Sequence, residues 1–117
     1  MLLPYRCLVL LMTPKEEAKI GALLASLWER SLPLLRERLD SLDRAATSMA
    51  LGSLTEASRT EALDIAHKLS GSLGMFGYDD GTGIARQIEH ALGSPSPPAS
   101  SRLTTLILQL RQVLSVD

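Results

Sequence analysis

The feature that most constrains the fold is the spacing of apolar residues, which recur every three or four positions along most of the 117-residue chain. This spacing gathers them on one side of an α-helix, whereas a half-buried strand would require strict alternation. Leucine and alanine, which favour helix, are abundant, and runs of β-branched residues are almost absent. The sequence therefore predicts an all-α protein.

The first helix has a clear start and an expected interruption. Thr13 is suited to the N-cap, Pro14 to the first helical position, and Glu16 to the third position of a capping box. Apolar residues at helical spacing continue from there until Ser31 and Pro33, which we expect to break or kink the helix. The pattern thus predicts a helix before Pro33 and a second one after it.

The remaining helices are expected at about 34–50, 55–76, 84–92 and 103–114. A turn is expected at 77–81 and a surface loop at 94–101, because glycine, aspartate and proline cluster there. Short connections favour antiparallel neighbours. We therefore expect residues 13–117 to form an antiparallel up-and-down four-helix bundle with an additional N-terminal helix.

The apolar segment 1–12 has some features of a short signal peptide. However, only Arg6 precedes its apolar run, no small-residue cleavage site follows, and a membrane span needs about 20 apolar residues. We expect this segment to pack on the bundle or on a second copy, and the protein to be a monomer or weak homodimer. The single Cys7 cannot form an internal disulfide, which suits a cytoplasmic protein.

Charge and motif content argue against several classes of function. The net charge is −1, and acidic and basic residues are interspersed, so we expect neither nucleic acid nor membrane as a partner. The chain has no phosphate-binding glycine loop followed by lysine, no set of metal ligands, and no recognisable Ser, His and acid pattern. Another protein is the expected partner, and a complete active site of its own is not expected.

His67 is the candidate functional residue. Apolar residues of the expected helix at 55–76 cluster on one side, and His67 falls about 140° from their centre, facing solvent; these residues are Ala62, Ile65, Ala66, Leu69, Leu73 and Phe76. Gly71 and Gly74 lie on the His67 side, although each costs about 1 kcal/mol relative to alanine in a helix. A surface that lets another protein approach a nucleophilic imidazole explains that cost.

The run from Ala66 to Gly77, AHKLSGSLGMFG, resembles the phosphorylation-site helix of histidine-containing phosphotransfer (HPt) domains. In that family a glycine follows the histidine by four residues, and another glycine stands at the helix end. The resemblance implies a phosphorelay protein that is phosphorylated on His67. It implies response-regulator receiver domains and a hybrid histidine kinase as partners, and no cofactor of its own, with Mg²⁺ bound by the receiver.

One position departs from the family pattern. Many members have lysine just before the first glycine, where this chain has Ser70, while Lys68 directly follows His67. Lys68 is either a phosphate-stabilising charge or a solvated one, and we group Lys68 and Ser70 with the two glycines as the phosphate or partner surface. His90, near a helix end, fits a structural role. The alternative function is a non-phosphorylated helical adaptor or dimerisation module that does not use His67.

Overall fold

The structure, a computed structural model, describes residues 12–94 and 97–116. Within these ranges there are four helices and no strand: α1 at Pro14–Ala50, α2 at Glu56–Met75, α3 at Asp79–Gly93 and α4 at Pro97–Leu114. The predicted all-α fold class is confirmed. The expected packing of the N-terminal segment falls on residues 1–11, which lie outside the described ranges. None of the described helices is both long and apolar enough to cross a membrane.

The helices form an antiparallel bundle around one core. Each helix packs on its neighbours in the chain, and α4 returns to pack on α1. The antiparallel direction is visible between α2 and α3, because Arg59 near the start of α2 reaches the carbonyl of Leu92 near the end of α3. The largest fully buried side chains come from all four helices: Leu39, Leu42, Leu69, Leu73, Ile88, Leu92, Leu103, Ile107 and Leu110.

The predicted break at Ser31 and Pro33 is wrong, because α1 is one continuous helix of 37 residues, and the alternative of a kink stays a prediction. A proline inside a helix removes one backbone hydrogen bond and costs about 3 kcal/mol. Packing on both sides of Pro33 offsets this cost, since Trp28 contacts the aromatic residues that follow α2 and Leu35 is buried. The additional N-terminal helix that the sequence suggests is therefore the first part of α1.

Two other helices begin earlier than the sequence predicts. α3 starts at Asp79, inside the expected turn, and α4 starts at Pro97, inside the expected loop. Proline is favoured in the first turn of a helix, where its missing N–H needs no partner, so the proline-rich stretch contains a helix start as well as a loop. The start of α2 is confirmed: the Thr55 hydroxyl accepts a hydrogen bond from the Ser58 amide at 3.1 Å.

The turn after α2 sets the position of α3. Gly77 adopts the left-handed conformation with φ 84°, which glycine enters without a Cβ clash. The amide of Tyr78 donates to the Leu73 carbonyl at 2.9 Å, and the amide of Gly77 donates to the Gly74 carbonyl at 3.2 Å. These two hydrogen bonds cap the carboxyl end of α2. The chain reverses direction within the three residues between α2 and α3. As a result α3 lies directly beside the second half of α2.

Candidate functional site

His67 lies near the middle of α2, and its side chain is 78% exposed. The opposite side of the helix consists of buried residues: Ala62, Ala66, Leu69 and Leu73. Ile65 and Phe76, which the helical projection places with this buried group, are only partly buried. The solvent-facing position predicted for His67 is nevertheless confirmed.

The carboxylate of Glu89 on α3 faces the ring of His67. Its Oε2 lies 3.5 Å from Nδ1 of His67, and the Glu89 side chain is 29% exposed. This distance exceeds the roughly 2.7–2.9 Å of a tight charge-assisted hydrogen bond, so the contact is a loose one that a small side-chain rotation would shorten. A carboxylate beside Nδ1 favours a proton on that nitrogen, which leaves the lone pair on Nε2. Nδ1 is therefore the ring nitrogen that faces Glu89.

The surface beside His67 is open above Gly71. Gly71 is exposed, and a Cβ added at this position would meet no atom within 4 Å. Packing within this chain therefore does not require glycine here, although glycine is less favourable than alanine in a helix by about 1 kcal/mol. Gly71 lies one turn after His67, so its missing side chain keeps the approach to the imidazole clear from that direction.

Gly74 has a different environment. It is half-buried, and a Cβ at this position would lie 3.4 Å from the hydroxyl oxygen of Thr82 on α3. That hydroxyl donates a hydrogen bond to the carbonyl of Ser70 at 3.2 Å. The structure therefore places Gly74 at the contact between α2 and α3, and not on the open surface that the sequence predicts. A Cβ at Gly74 would make ordinary van der Waals contact with Thr82, so the packing of α3 on α2 does not require glycine there.

The two remaining residues of the predicted surface, Ser70 and Lys68, have partners on α2 itself. The Ser70 side chain is buried and its hydroxyl donates to the carbonyl of His67 at 2.7 Å, and its place on the phosphate or partner surface stays a prediction. The ammonium group of Lys68 lies 2.8 Å from the carboxylate of Asp64, and both side chains are more than half exposed. The structure thus brings together the His67 ring, Glu89 and the open position at Gly71.

Sequence reasoning missed Glu89, Thr82 and Asp64. The pairing of Asp64 with Lys68 has a simple sequence signal, since the two residues are four positions apart on one helix. Glu89 carries no such signal, because its position beside His67 depends on how closely α3 approaches α2. Gly81 fixes part of that approach: a Cβ there would lie 3.2 Å from the Leu73 side chain.

No group of three or more His, Cys, Asp or Glu residues that could hold a metal ion occurs in residues 12–94 or 97–116. His90 is exposed near the end of α3, and its expected structural role stays a prediction. The assignment of Mg²⁺ to a receiver partner likewise stays a prediction.

Comparison with known proteins gives the family. Residues 26–115, most of the described chain, match the family described as Hpt domain. This chain belongs to the Hpt domain family. The Hpt domain is also similar to Protein RcaC of Microchaete diplosiphon, with 33% identity over 94 residues, which cover 78% of this chain and 14% of that protein. No solved structure matches. Family membership makes this chain a phosphotransfer module of two-component signalling.

Proposed function

We propose that this Hpt domain carries a phosphoryl group on Nε2 of His67, accepting it from the aspartyl phosphate of a receiver domain and donating it to another receiver. The observation that carries the proposal is the largely exposed imidazole whose Nδ1 faces Glu89. The match to the Hpt family supports a carrier of phosphoryl groups, and the open position at Gly71 supports access by a second protein.

In the accepting step, a nitrogen–phosphorus bond forms and a phosphorus–oxygen bond breaks. The lone pair of Nε2 attacks phosphorus, while the bond from phosphorus to the aspartate oxygen of the receiver breaks and leaves its electron pair on that oxygen. Nδ1 keeps its proton, so the phosphorylated ring carries a formal positive charge. The carboxylate of Glu89 lies beside that charge and stabilises it. Donation reverses the same bonds.

The remaining parts of the reaction belong to the partners. The receiver supplies the aspartate and Mg²⁺, and this Hpt domain supplies the histidine and has no cofactor or autonomous active site of its own. Receivers of response regulators and of a hybrid histidine kinase are the proposed partners, and the exchange takes place in the cytoplasm. The clear surface at Gly71 gives a receiver room to bring its aspartate to Nε2.

Transfer of labelled phosphate from a phosphorylated receiver tests the proposal. The wild-type chain should gain acid-labile, base-stable phosphate, whereas His67→Gln should gain none, because glutamine keeps polarity and approximate size but offers no nucleophilic nitrogen. His90→Gln is the matched control and should be labelled like wild type. Circular dichroism would confirm that both variants fold. Labelling of a folded His67→Gln variant would contradict the proposal, and a wild-type chain that binds receivers without gaining label would favour the adaptor alternative.

A further inference from the structure

The first part of α1 extends beyond the bundle. Residues 14–34, called the arm below, contain no fully buried residue, and the first buried residue of α1 is Leu35. The longest dimension of the molecule is 54 Å, close to the roughly 55 Å expected for a helix as long as α1. The other three helices have only 15 to 20 residues. The arm therefore begins with turns of α1 that α2, α3 and α4 are too short to reach, and packs on the core only near Trp28 and Leu32.

The arm carries a heptad repeat along one exposed face. The repeat alternates steps of four and three residues, as in the seam of a two-stranded coiled coil; its members, called the arm seam below, are Glu16, Ile20, Leu23, Leu27, Arg30 and Leu34. The three leucines are 56%, 41% and 47% exposed in chain order. The next two positions of the repeat, Glu37 and Ser41, are polar, so the repeat ends where the bundle begins.

The arm seam is separate from the face through which the arm meets the bundle. On that other face Trp28 and Leu32 pack against the core. The Trp28 ring also contacts Phe76 and Tyr78, with ring centroids 5.2 and 4.8 Å apart. Leu27 lies about 100° around the helix from Trp28 and stays 41% exposed, so it is on a different face from the one that packs on the core. The described residues of this chain therefore leave the leucines of the arm seam 41–56% exposed.

We propose that the arm seam pairs with the arm seam of a second copy of this chain as an antiparallel two-helix coiled coil. The charges on the seam carry this choice of occupant and direction. Glu16 lies at its amino end and Arg30 towards its carboxyl end, with the apolar residues between and beyond them. Antiparallel pairing with Leu23 against Leu27 of the second copy brings Glu16 within about one turn of Arg30 of that copy.

A parallel pair of the same helices is disfavoured by the same charges. Residues at equivalent seam positions face each other in a parallel coiled coil, so Glu16 would meet Glu16 and Arg30 would meet Arg30. The antiparallel pair replaces both repulsions with attractions and has the two-fold symmetry common to protein dimers. This pairing uses arm residues alone, and the inference does not depend on phosphorylation of His67.

Sedimentation equilibrium of the full chain tests whether the arm seam pairs. The wild-type chain should dimerise with a dissociation constant of about 1 mM or lower, so that at least half of the chains are paired at a concentration of about 1 mM. Leu23→Glu should raise the dimer dissociation constant at least tenfold. Leu108→Glu is the matched control, because Leu108 is equally exposed at 56% but lies on α4, and it should leave the constant unchanged. A monomeric wild-type chain at this concentration, or equal weakening by both variants, would overturn the proposal.

Charge reversal tests the direction of the pair. Glu16→Arg and Arg30→Glu should each raise the dissociation constant several-fold, and the double variant should restore it, because only an antiparallel pair brings Glu16 of one copy within about one turn of Arg30 of the other. A double variant that dimerises no better than the single variants would overturn the antiparallel arrangement. Circular dichroism of each variant would show that the helices are retained.

Discussion

The two faces of α2 differ sharply, although they share one helical backbone. Ala66, Leu69 and Leu73 on the inner face are at most 1% exposed, whereas the His67 side chain between them in sequence is 78% exposed. The inner face fixes the helix by packing, and the outer face keeps the imidazole uncovered. Buried residues on the inner face therefore hold the helix in place. On the outer face, the lack of a side chain at Gly71 keeps the imidazole accessible.

The largest effect should come from loosening the inner face. Leu69→Ala removes a fully buried side chain and should lower the free energy of unfolding by about 2–5 kcal/mol, through lost transfer energy and the cavity left behind. Leu108→Ala, at an exposed position, should change it by less than about 0.5 kcal/mol. Urea denaturation monitored by circular dichroism measures both. Similar small losses in the two variants would mean that the inner face does not hold α2 in place.

The sequence predicts most of the inner face and only part of the outer one. Helical spacing identifies Leu69 and Leu73 as buried and His67 as exposed, because periodicity within one helix depends only on local geometry. It does not identify Glu89 beside His67 or Gly74 against Thr82, because these positions depend on the approach of two separate helices. Family membership gives the class of chemistry, but it does not supply the contacts of these residues.

Local sequence rules also do not predict that α1 continues through Pro33. Pro33 normally ends or bends a helix, and only the packing of residues on both sides of it, such as Trp28 and Leu35, shows why the helix continues. The same limit applies to the prolines before α4, which fit either a loop or the first turn of a helix. In each case tertiary contacts decide between two locally acceptable structures.

Filling the open position on the outer face should separate stability from transfer. Gly71→Gln should keep or slightly raise the free energy of unfolding, because glutamine is the better helix former and a side chain has space there. It should also slow transfer from a phosphorylated receiver at least tenfold, or about 1.4 kcal/mol, by obstructing approach to His67. Gly71→Ala should give a smaller decrease. Unchanged transfer in a stable Gly71→Gln variant would show that the receiver approaches from another direction.

Removing the charge beside the imidazole should have a smaller effect. Glu89→Gln keeps the size of the side chain but removes the carboxylate next to Nδ1, and we expect transfer to slow about fivefold, or roughly 1 kcal/mol. Nitrogen NMR of the His67 ring should show less of the tautomer protonated on Nδ1. Glu61→Gln, at an exposed position on α2, is the control and should change neither measurement. A fivefold loss without a change of tautomer would indicate a different role for Glu89.

The smallest effect should come from Lys68 at the edge of the outer face. Its ammonium is paired with Asp64 and both groups are more than half exposed, so solvent screens its attraction for a phosphoryl group. Lys68→Ala should therefore slow transfer only about two- to threefold, which is less than 1 kcal/mol.

Asp64→Ala should act in the opposite direction, because it frees the ammonium of Lys68 to turn towards the phosphorylated ring. Rates of transfer from one receiver to both variants provide the measurement. Loss of transfer in Lys68→Ala as complete as in His67→Gln would make Lys68 essential, and no change in either variant would make it a solvated charge without a role in transfer.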